Sequence, residues 1–203
     1  LSRHSRVYDA SDPGTGKTRA HLEDFAERRR AGGKRALVIC PLTLMVSAWG
    51  NDISKFTPDM KVAYAEAKRK KHEKSMREQA LESDADIVIL NTDGVRWFFE
   101  DKKDTHRRLA LLDSFDTLII DELTEFKHRT SQRTRKLMLP SQRFPIRRGL
   151  SGTPRTNSVL DLWSQIKILD NGLHLGNSFT RFRSAVCYAE PRHQFMQWFD
   201  RPN

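Results

Sequence analysis

The chain has 203 residues, with a hydrophobic content of 37% and a charged content of 31%, proportions of a globular domain large enough to bury a core. No apolar run approaches the ~20 residues of a membrane-spanning helix, and the first ten residues hold arginines but no apolar stretch, so they do not read as a secretory signal. Lys and Arg outnumber Asp and Glu by 36 to 26, a net charge of +10 that favours polyanionic partners without identifying one.

In chain order, the first informative segment is Ser11-Asp12-Pro13-Gly14-Thr15-Gly16-Lys17-Thr18. A glycine-rich turn that ends in Gly-Lys-Thr and runs into a helix lets successive backbone N–H groups surround a phosphate. Lys17 then reaches the β- and γ-phosphates of ATP, and the Thr18 hydroxyl can ligate Mg²⁺. Ser11 stands where the general GxxxxGK[ST] pattern has its first glycine. The sequence begins without methionine and enters this loop almost at once, so a piece of a longer protein is expected.

Beyond the loop, apolar runs alternate with polar segments of helical character. Strands are expected at 36–40, 62–65, 86–91, 117–121 and 148–151, and helices at 18–30, 44–55, 66–83, 93–100 and 131–139. The strand runs lack period-2 alternation, as parallel strands buried on both faces do. This rhythm predicts an α/β fold with a mainly parallel sheet, whose ligands bind at the carboxyl ends of the strands. The mixed-sign charges within 66–78 read as a solvated helix face. The tail 171–203 carries Phe179, Phe182, Tyr188, Phe195, Trp198 and Phe199 without a clear period, and is expected to be an irregular extension or the start of a linker. Cys40 and Cys187 form no CxxC pair, so neither a disulfide framework nor a zinc site follows. Both suit a reducing cytosol.

Two later segments follow strand ends. In Leu118-Ile119-Ile120-Asp121-Glu122, an apolar strand delivers two carboxylates. Asp121 is placed to hold Mg²⁺ through its water shell, and Glu122 to polarise the water that attacks the γ-phosphate. Gly149-Leu150-Ser151-Gly152-Thr153-Pro154 adds two hydroxyls and a tight turn at the same sheet edge.

Taken together, these motifs resemble superfamily-two helicase-like ATPases of the Swi/Snf branch, in the compact form associated with phages and prophages. Residues 10–18 resemble motif I. Ile39-Cys40-Pro41-Leu42-Thr43-Leu44, with Trp49 and Phe56 after it, resembles motif Ia. The strand 86–91 followed by Thr92-Asp93-Gly94-Val95 resembles the next nucleic-acid-facing motif. Asp121-Glu122-Leu123-Thr124-Glu125-Phe126-Lys127 with Ser131 resembles motif II. Leu150 to Asn157, then Leu160, Leu162 and Trp163, resembles motif III, and Leu175-Gly176, Ser178 and Phe182-Arg183 resemble the segment beyond it.

The resemblance implies a RecA-like P-loop NTPase three-layer sandwich over 1–170 that binds ATP and Mg²⁺. It implies a double-stranded DNA track, indifferent to sequence, at Pro41, Leu42, Thr43, Thr92 and Arg155. It implies coupling of nucleotide state to motion through Ser151, Gly152 and Thr153. It also implies a second lobe outside this chain that supplies an arginine finger, a monomeric protein with no membrane association, and a cytoplasmic setting in bacteria or phage-infected cells (nuclear in a eukaryote). Thr124 stands where the family usually has histidine, and Thr156 where it usually has glutamine. A nucleic-acid-binding module without ATP turnover is the alternative, with a kinase or AAA-type ATPase behind it. The basic stretch Lys68 to Lys74 is the rival DNA surface.

Overall fold

A computed structural model describes residues 4–67, 75–154, 157–192 and 195–202. Among them, six strands form one parallel sheet: β1 (Arg6–Asp9), β2 (Arg35–Cys40), β3 (Val62–Ala65), β4 (Ile87–Asn91), β5 (Phe115–Ile120) and β6 (Ile146–Leu150). Their spatial order is β1-β6-β5-β2-β4-β3. The helices are α1 (Lys17–Arg30), α2 (Asn51–Phe56), α3 (Met76–Glu82), α4 (Lys102–Ala110), α5 (Gln132–Met138), α6 (Asp161–Asp170) and α7 (Phe179–Val186).

The aliphatic strands explain the layering. Successive side chains point to opposite faces, so Leu37, Ile39, Val88, Leu90, Leu118 and Ile120 enter one core, with Phe126, Leu137 and Ile168. Ala36, Val38, Ile87, Ile89 and Ile119 enter the other, with Leu22 and Phe25 of α1 and Trp49 and Ile53. Helices therefore cover both faces, which is the expected three-layer α/β sandwich.

The register aligns the functional strand ends. Cys40 pairs with Asn91, Ile39 with Ile120, Ile120 with Gly149, and Asp9 with Leu150. The residues just beyond them, Ser11, Pro41, Thr92, Asp121 and Ser151, consequently leave the sheet along one edge.

Several elements differ from expectation. β1 was not among the expected strands, because Arg-Val-Tyr-Asp carries one aliphatic residue and lies at the rim of the sheet. β6 begins two residues early. Its Arg147 and Arg148 are buried yet partnered, Arg147 by the Ile168 carbonyl at 3.3 Å and Arg148 by Asp24 at 3.4 Å and the His4 carbonyl. The segment expected as one helix over 44–55 is a π-helix, Met45–Gly50, running into α2. Thr92–Phe99 is 3₁₀ rather than α, wound tightly enough that a Cβ on Gly94 would overlap Leu90. Of the helix expected at 66–83, α3 is the described part, started by Ser75 Oγ accepting from the Glu78 amide at 3.3 Å; 68–74 lie outside the described residues.

The tail departs most from expectation. It is regular: α7 leads into an antiparallel pair, β7 (Cys187–Arg192) and β8 (Phe195–Asp200), in which Tyr188 stacks on Phe199 at 5.6 Å. Ser158 Oγ and the Val159 amide donate to Asp200 at 2.6 and 3.1 Å, fastening the hairpin to the turn before α6. β7 carries one aromatic, Tyr188, and those of β8 fall at 195, 198 and 199 without the alternation of a strand, which hid the hairpin in the sequence.

Candidate nucleotide site

Asp9, the last residue of β1, organises the loop that follows. Its Oδ1 accepts from the Ser11 amide at 3.1 Å and from Ser11 Oγ, and its Oδ2 lies 3.1 Å from His21 Nε2 on α1. Burial by itself would raise the Asp9 carboxyl, but Ser11 and His21 outweigh it and hold the group below its ordinary value. Burial lowers His21, against the pull of Asp9, so the ring is neutral at pH 7.

Gly14 and Gly16 adopt φ of 81° and 85°, and a Cβ on either would meet nothing within 4 Å. The backbone angle, not the space, calls for glycine there. Gly16 opens α1, whose first N–H groups face the loop. Lys17 Nζ donates to the carbonyls of Ser11 at 2.6 Å and Asp12 at 2.9 Å, and Thr15 Oγ1 donates to the Asp12 carbonyl at 2.8 Å. The lysine thus folds over its own loop onto neutral acceptors, which an anionic phosphate oxygen surpasses. An open glycine turn, a helix N-terminus and this ammonium fit a nucleotide phosphate. Thr18 and Asp121 offer hard oxygen donors suited to Mg²⁺. Among the described residues no three His, Cys, Asp or Glu side chains form a metal cage; a Mg²⁺ site completed by phosphates and water requires only one or two protein oxygens.

At the end of β5, the Asp121 amide donates to the Ile39 carbonyl at 2.8 Å, anchoring the residue to β2. Its carboxylate accepts from Trp49 Nε1 at 2.8 Å through Oδ2 and from the Glu122 amide at 3.0 Å through Oδ1. Burial, helped by Asp121, pushes the neighbouring Cys40 thiol up to about 12, so it stays an uncharged core group. Glu122 takes a left-handed backbone, φ 50° and ψ 56°, which turns the chain sharply into the 3₁₀ segment Leu123–Phe126. Thr124 Oγ1 lies 3.4 Å from both Glu122 Oε2 and Ser151 Oγ, so the threonine in the place of the family's histidine spans motif II and the Ser-Gly-Thr-Pro turn.

That turn abuts the glycine loop: a Cβ on Gly152 would fall 2.8 Å from Pro13 Cδ. The Ser151 amide donates to the Asp9 carbonyl at 3.1 Å, and Ser151 Oγ accepts from the Thr153 amide at 3.2 Å. Buried Gln165 donates to the Pro154 carbonyl at 2.9 Å and accepts from the Tyr8 hydroxyl. Burial raises the Tyr8 phenol, and the Glu122 charge raises it further. A continuous path of contacts therefore runs from Pro13 through Gly152 and Ser151 to Thr124 and Glu122.

The residues expected to face nucleic acid divide. Leu42 and Thr43 are exposed beyond β2, and Pro41 is partly so. Thr92, beyond the adjacent β4, is 6% exposed, and its Oγ1 has no partner among the described residues, so it lies beneath the surface rather than on it. Arg155 and the rival stretch Lys68 to Lys74 lie outside the described residues. Asp9, His21, Tyr8 and Gln165 carried no sequence motif. The signal available in retrospect was an acid closing the strand before the glycine loop.

An all-parallel sheet whose aligned strand ends carry a Gly-Lys-Thr loop, an Asp-Glu pair and a Ser-Gly-Thr-Pro turn defines a RecA-like P-loop NTPase lobe. More narrowly, the chain belongs to the SNF2-related domain family, which matches residues 10–203. Protein p41 of Acyrthosiphon pisum secondary endosymbiont phage 1 is 28% identical over 183 residues, covering 84% of this chain and 37% of that protein. YwqA of Bacillus subtilis (strain 168), named as a candidate ATP-dependent helicase/translocase, is 26% identical over 170 residues, covering 83% of this chain and 17% of the relative. The solved SWI2/SNF2 ATPase core of Sulfolobus solfataricus in complex with dsDNA matches with a TM-score of 0.68 at 26% identity, covering 88% of this chain and 34% of that one. The chain therefore spans between 17% and 37% of the length of these proteins. Among the described residues no helix is long and apolar enough to cross a membrane.

Proposed function

We propose that this chain is the nucleotide-binding lobe of an ATP-driven motor that moves along duplex DNA. The observation that carries the reading is the shared strand-end edge, where the glycine loop touches the Gly152 turn and that turn meets Thr124 beside Glu122. The loop amides and Lys17 bind the β- and γ-phosphates. Thr18 and Asp121 would hold Mg²⁺, which would supply charge neutralisation on the phosphates. Glu122 orients the attacking water and accepts its proton, while Ser151, Gly152 and Thr153 relay the change in the site along the path of contacts. Leu42 and Thr43 face the nucleic-acid backbone from the neighbouring strand end.

The Sulfolobus neighbour, an ATPase core in complex with dsDNA, supports the duplex as partner. Its greater length supports a second lobe as the source of the arginine finger. Fingers of this kind contribute ~10³–10⁵ in rate, so the lobe alone turns Mg-nucleotide over very slowly. The reading places the protein in the soluble phase of the cell, working as a monomer.

The test is ATP hydrolysis by the full-length protein with and without duplex DNA, beside Glu122→Gln and Lys17→Ala. DNA should stimulate the wild type. Glu122→Gln should abolish turnover at unchanged nucleotide affinity, whereas Lys17→Ala should weaken binding itself. DNA binding without any turnover by the wild type would instead favour a nucleic-acid-binding module.

A further inference from the structure

Trp49 stands apart from the machinery described above, yet it touches a residue central to it. Its side chain is 0% exposed, packed in the core on the α1 face of the sheet. A buried indole N–H requires an acceptor, and here it is Asp121 Oδ2 at 2.8 Å, across 72 positions of sequence. Such N–H bonds to an ionised acceptor are short and roughly twice as strong as neutral ones. With Oδ1 engaged by the Glu122 amide and the Asp121 amide anchored to Ile39, the carboxylate is fixed in rotation as well as in place.

The segment that carries Trp49 is equally constrained. The π-helix Met45–Gly50 follows directly on Pro41 to Thr43, joined by the Leu44 amide to the Pro41 carbonyl at 2.9 Å and by Ser47 Oγ to the Thr43 carbonyl at 2.5 Å. At its far end, Gly50 lies so close to Tyr64 that a Cβ would overlap the Tyr64 hydroxyl. Single-turn π segments of this kind are frequent at functional sites. This one leaves little slack between exposed Thr43 and the indole.

We propose that Trp49 is a positioning residue for the divalent cation: its indole N–H holds the Asp121 carboxylate in the orientation that receives the metal's water shell, and its π-helix links that carboxylate to the exposed Leu42–Thr43 turn. The inference rests on Asp121 being the metal-bearing carboxylate. Partners that orient a metal-bearing group typically change metal affinity or activity 10–100-fold when removed. Because Asp121 acts through water, the lower end applies.

The experiment uses the full-length protein with Trp49→Phe, which keeps an aromatic ring and deletes the donor. A second variant replaces Trp49 by 3-benzothienylalanine, which keeps the indole shape with sulfur in place of N–H, so a folding defect from lost volume is separated from the lost hydrogen bond. Mn²⁺ binding to the complex with a non-hydrolysable ATP analogue is titrated by the electron paramagnetic resonance of free Mn²⁺. Nucleotide affinity is measured separately in EDTA, and DNA-stimulated turnover is followed against Mg²⁺ concentration. Both variants should bind Mn²⁺ about 10-fold more weakly at unchanged affinity in EDTA, and saturating Mg²⁺ should restore turnover. Unchanged Mn²⁺ affinity in the benzothienyl variant, with Asp121→Asn losing the cation, would overturn the role of Trp49. Unchanged Mn²⁺ affinity in Asp121→Asn would instead overturn the assignment of Asp121, and the inference with it.

Discussion

Gly152 lies against Pro13 so closely that a single methyl on its Cα would reach within 2.9 Å of both Cδ and Cγ of the proline ring. Two segments of unrelated sequence thus lie against each other with no room for a side chain at position 152. Gly152→Ala should push the glycine loop from its resting shape. The expected cost to the lobe is about 1–3 kcal/mol of overpacking, with weaker nucleotide binding and little loss of helical signal. Nucleotide titration beside thermal unfolding checks this; an alanine variant with wild-type affinity would show that the contact yields freely.

Thr124 supports a second prediction. Its hydroxyl lies between Glu122 and Ser151 at 3.4 Å from each, long enough that both contacts are weak in the resting lobe. Thr124→Val, equal in shape but without the hydroxyl, removes both. Ordinary hydrogen bonds contribute about 0.5–1.5 kcal/mol, so DNA-stimulated kcat should fall roughly two- to tenfold while nucleotide affinity holds. A fall in affinity with kcat intact would mean that Thr124 serves the binding step rather than turnover.

Stability should depend on pH through His21. Burial holds its folded-state value below the ordinary one, so the unfolded chain takes up a proton first as pH falls. The stability associated with neutral His21 is complete above the unfolded value near 6.5 and is lost as pH drops below it, by at most ~1.4 kcal/mol per pH unit for one proton. Asp9, held below its ordinary value, contributes in the same direction at lower pH, losing its share as pH falls through the carboxylate range. His21→Gln can still reach Asp9 but does not titrate. Chemical denaturation between pH 7.5 and 5 should show a flatter decline for this variant than for wild type. Parallel curves would remove His21 from the account.

Salt dependence separates the possible DNA contacts. Thr43 offers a neutral hydroxyl, so Thr43→Ala should weaken duplex binding at every salt concentration without changing the slope. Arg155→Ala should lower the slope of log K against log salt by about 0.9, the value of one phosphate charge. Thr92→Ala should do neither, because its hydroxyl is buried. Charge removal at Lys68, Arg69, Lys70 and Lys71 should matter less than Arg155→Ala. A larger slope change there would move the track to that basic stretch.

The legible parts of this fold were those coded in contiguous residues. The glycine loop, the acidic pair and the Ser-Gly-Thr-Pro turn each occupy a few adjacent positions, and the aliphatic strands β2, β4 and β5 identify themselves by composition. Features that depend on distant partners were not legible. Nothing in the sequence says how Arg147 and Arg148 can be buried in a strand until the Ile168 carbonyl and Asp24 are seen to receive them. Thr92 reads as an exposed turn residue, yet its 3₁₀ segment carries the hydroxyl under the surface. The bond from Trp49 to Asp121 crosses the boundary between two strands, and no local pattern announces it. β1 was hidden because a rim strand requires few aliphatic side chains.

The position of β1 also bears on how the lobe comes to exist. Among the described strands it is the first in sequence, yet its neighbour is β6, and the pairs from Arg6↔Arg147 to Asp9↔Leu150 are the most distant in sequence within the sheet. Closing so long a loop has to precede any gain from the contacts it makes, which places such pairings among the slow steps of folding. During synthesis, the glycine loop emerges before the turn it leans on, because residues 146–154 follow it in the chain. Its contact with Gly152 can form only when β6 docks. On the proposed reading, nucleotide would be a ligand of the docked arrangement and would favour the pairing of β1 with β6 by mass action.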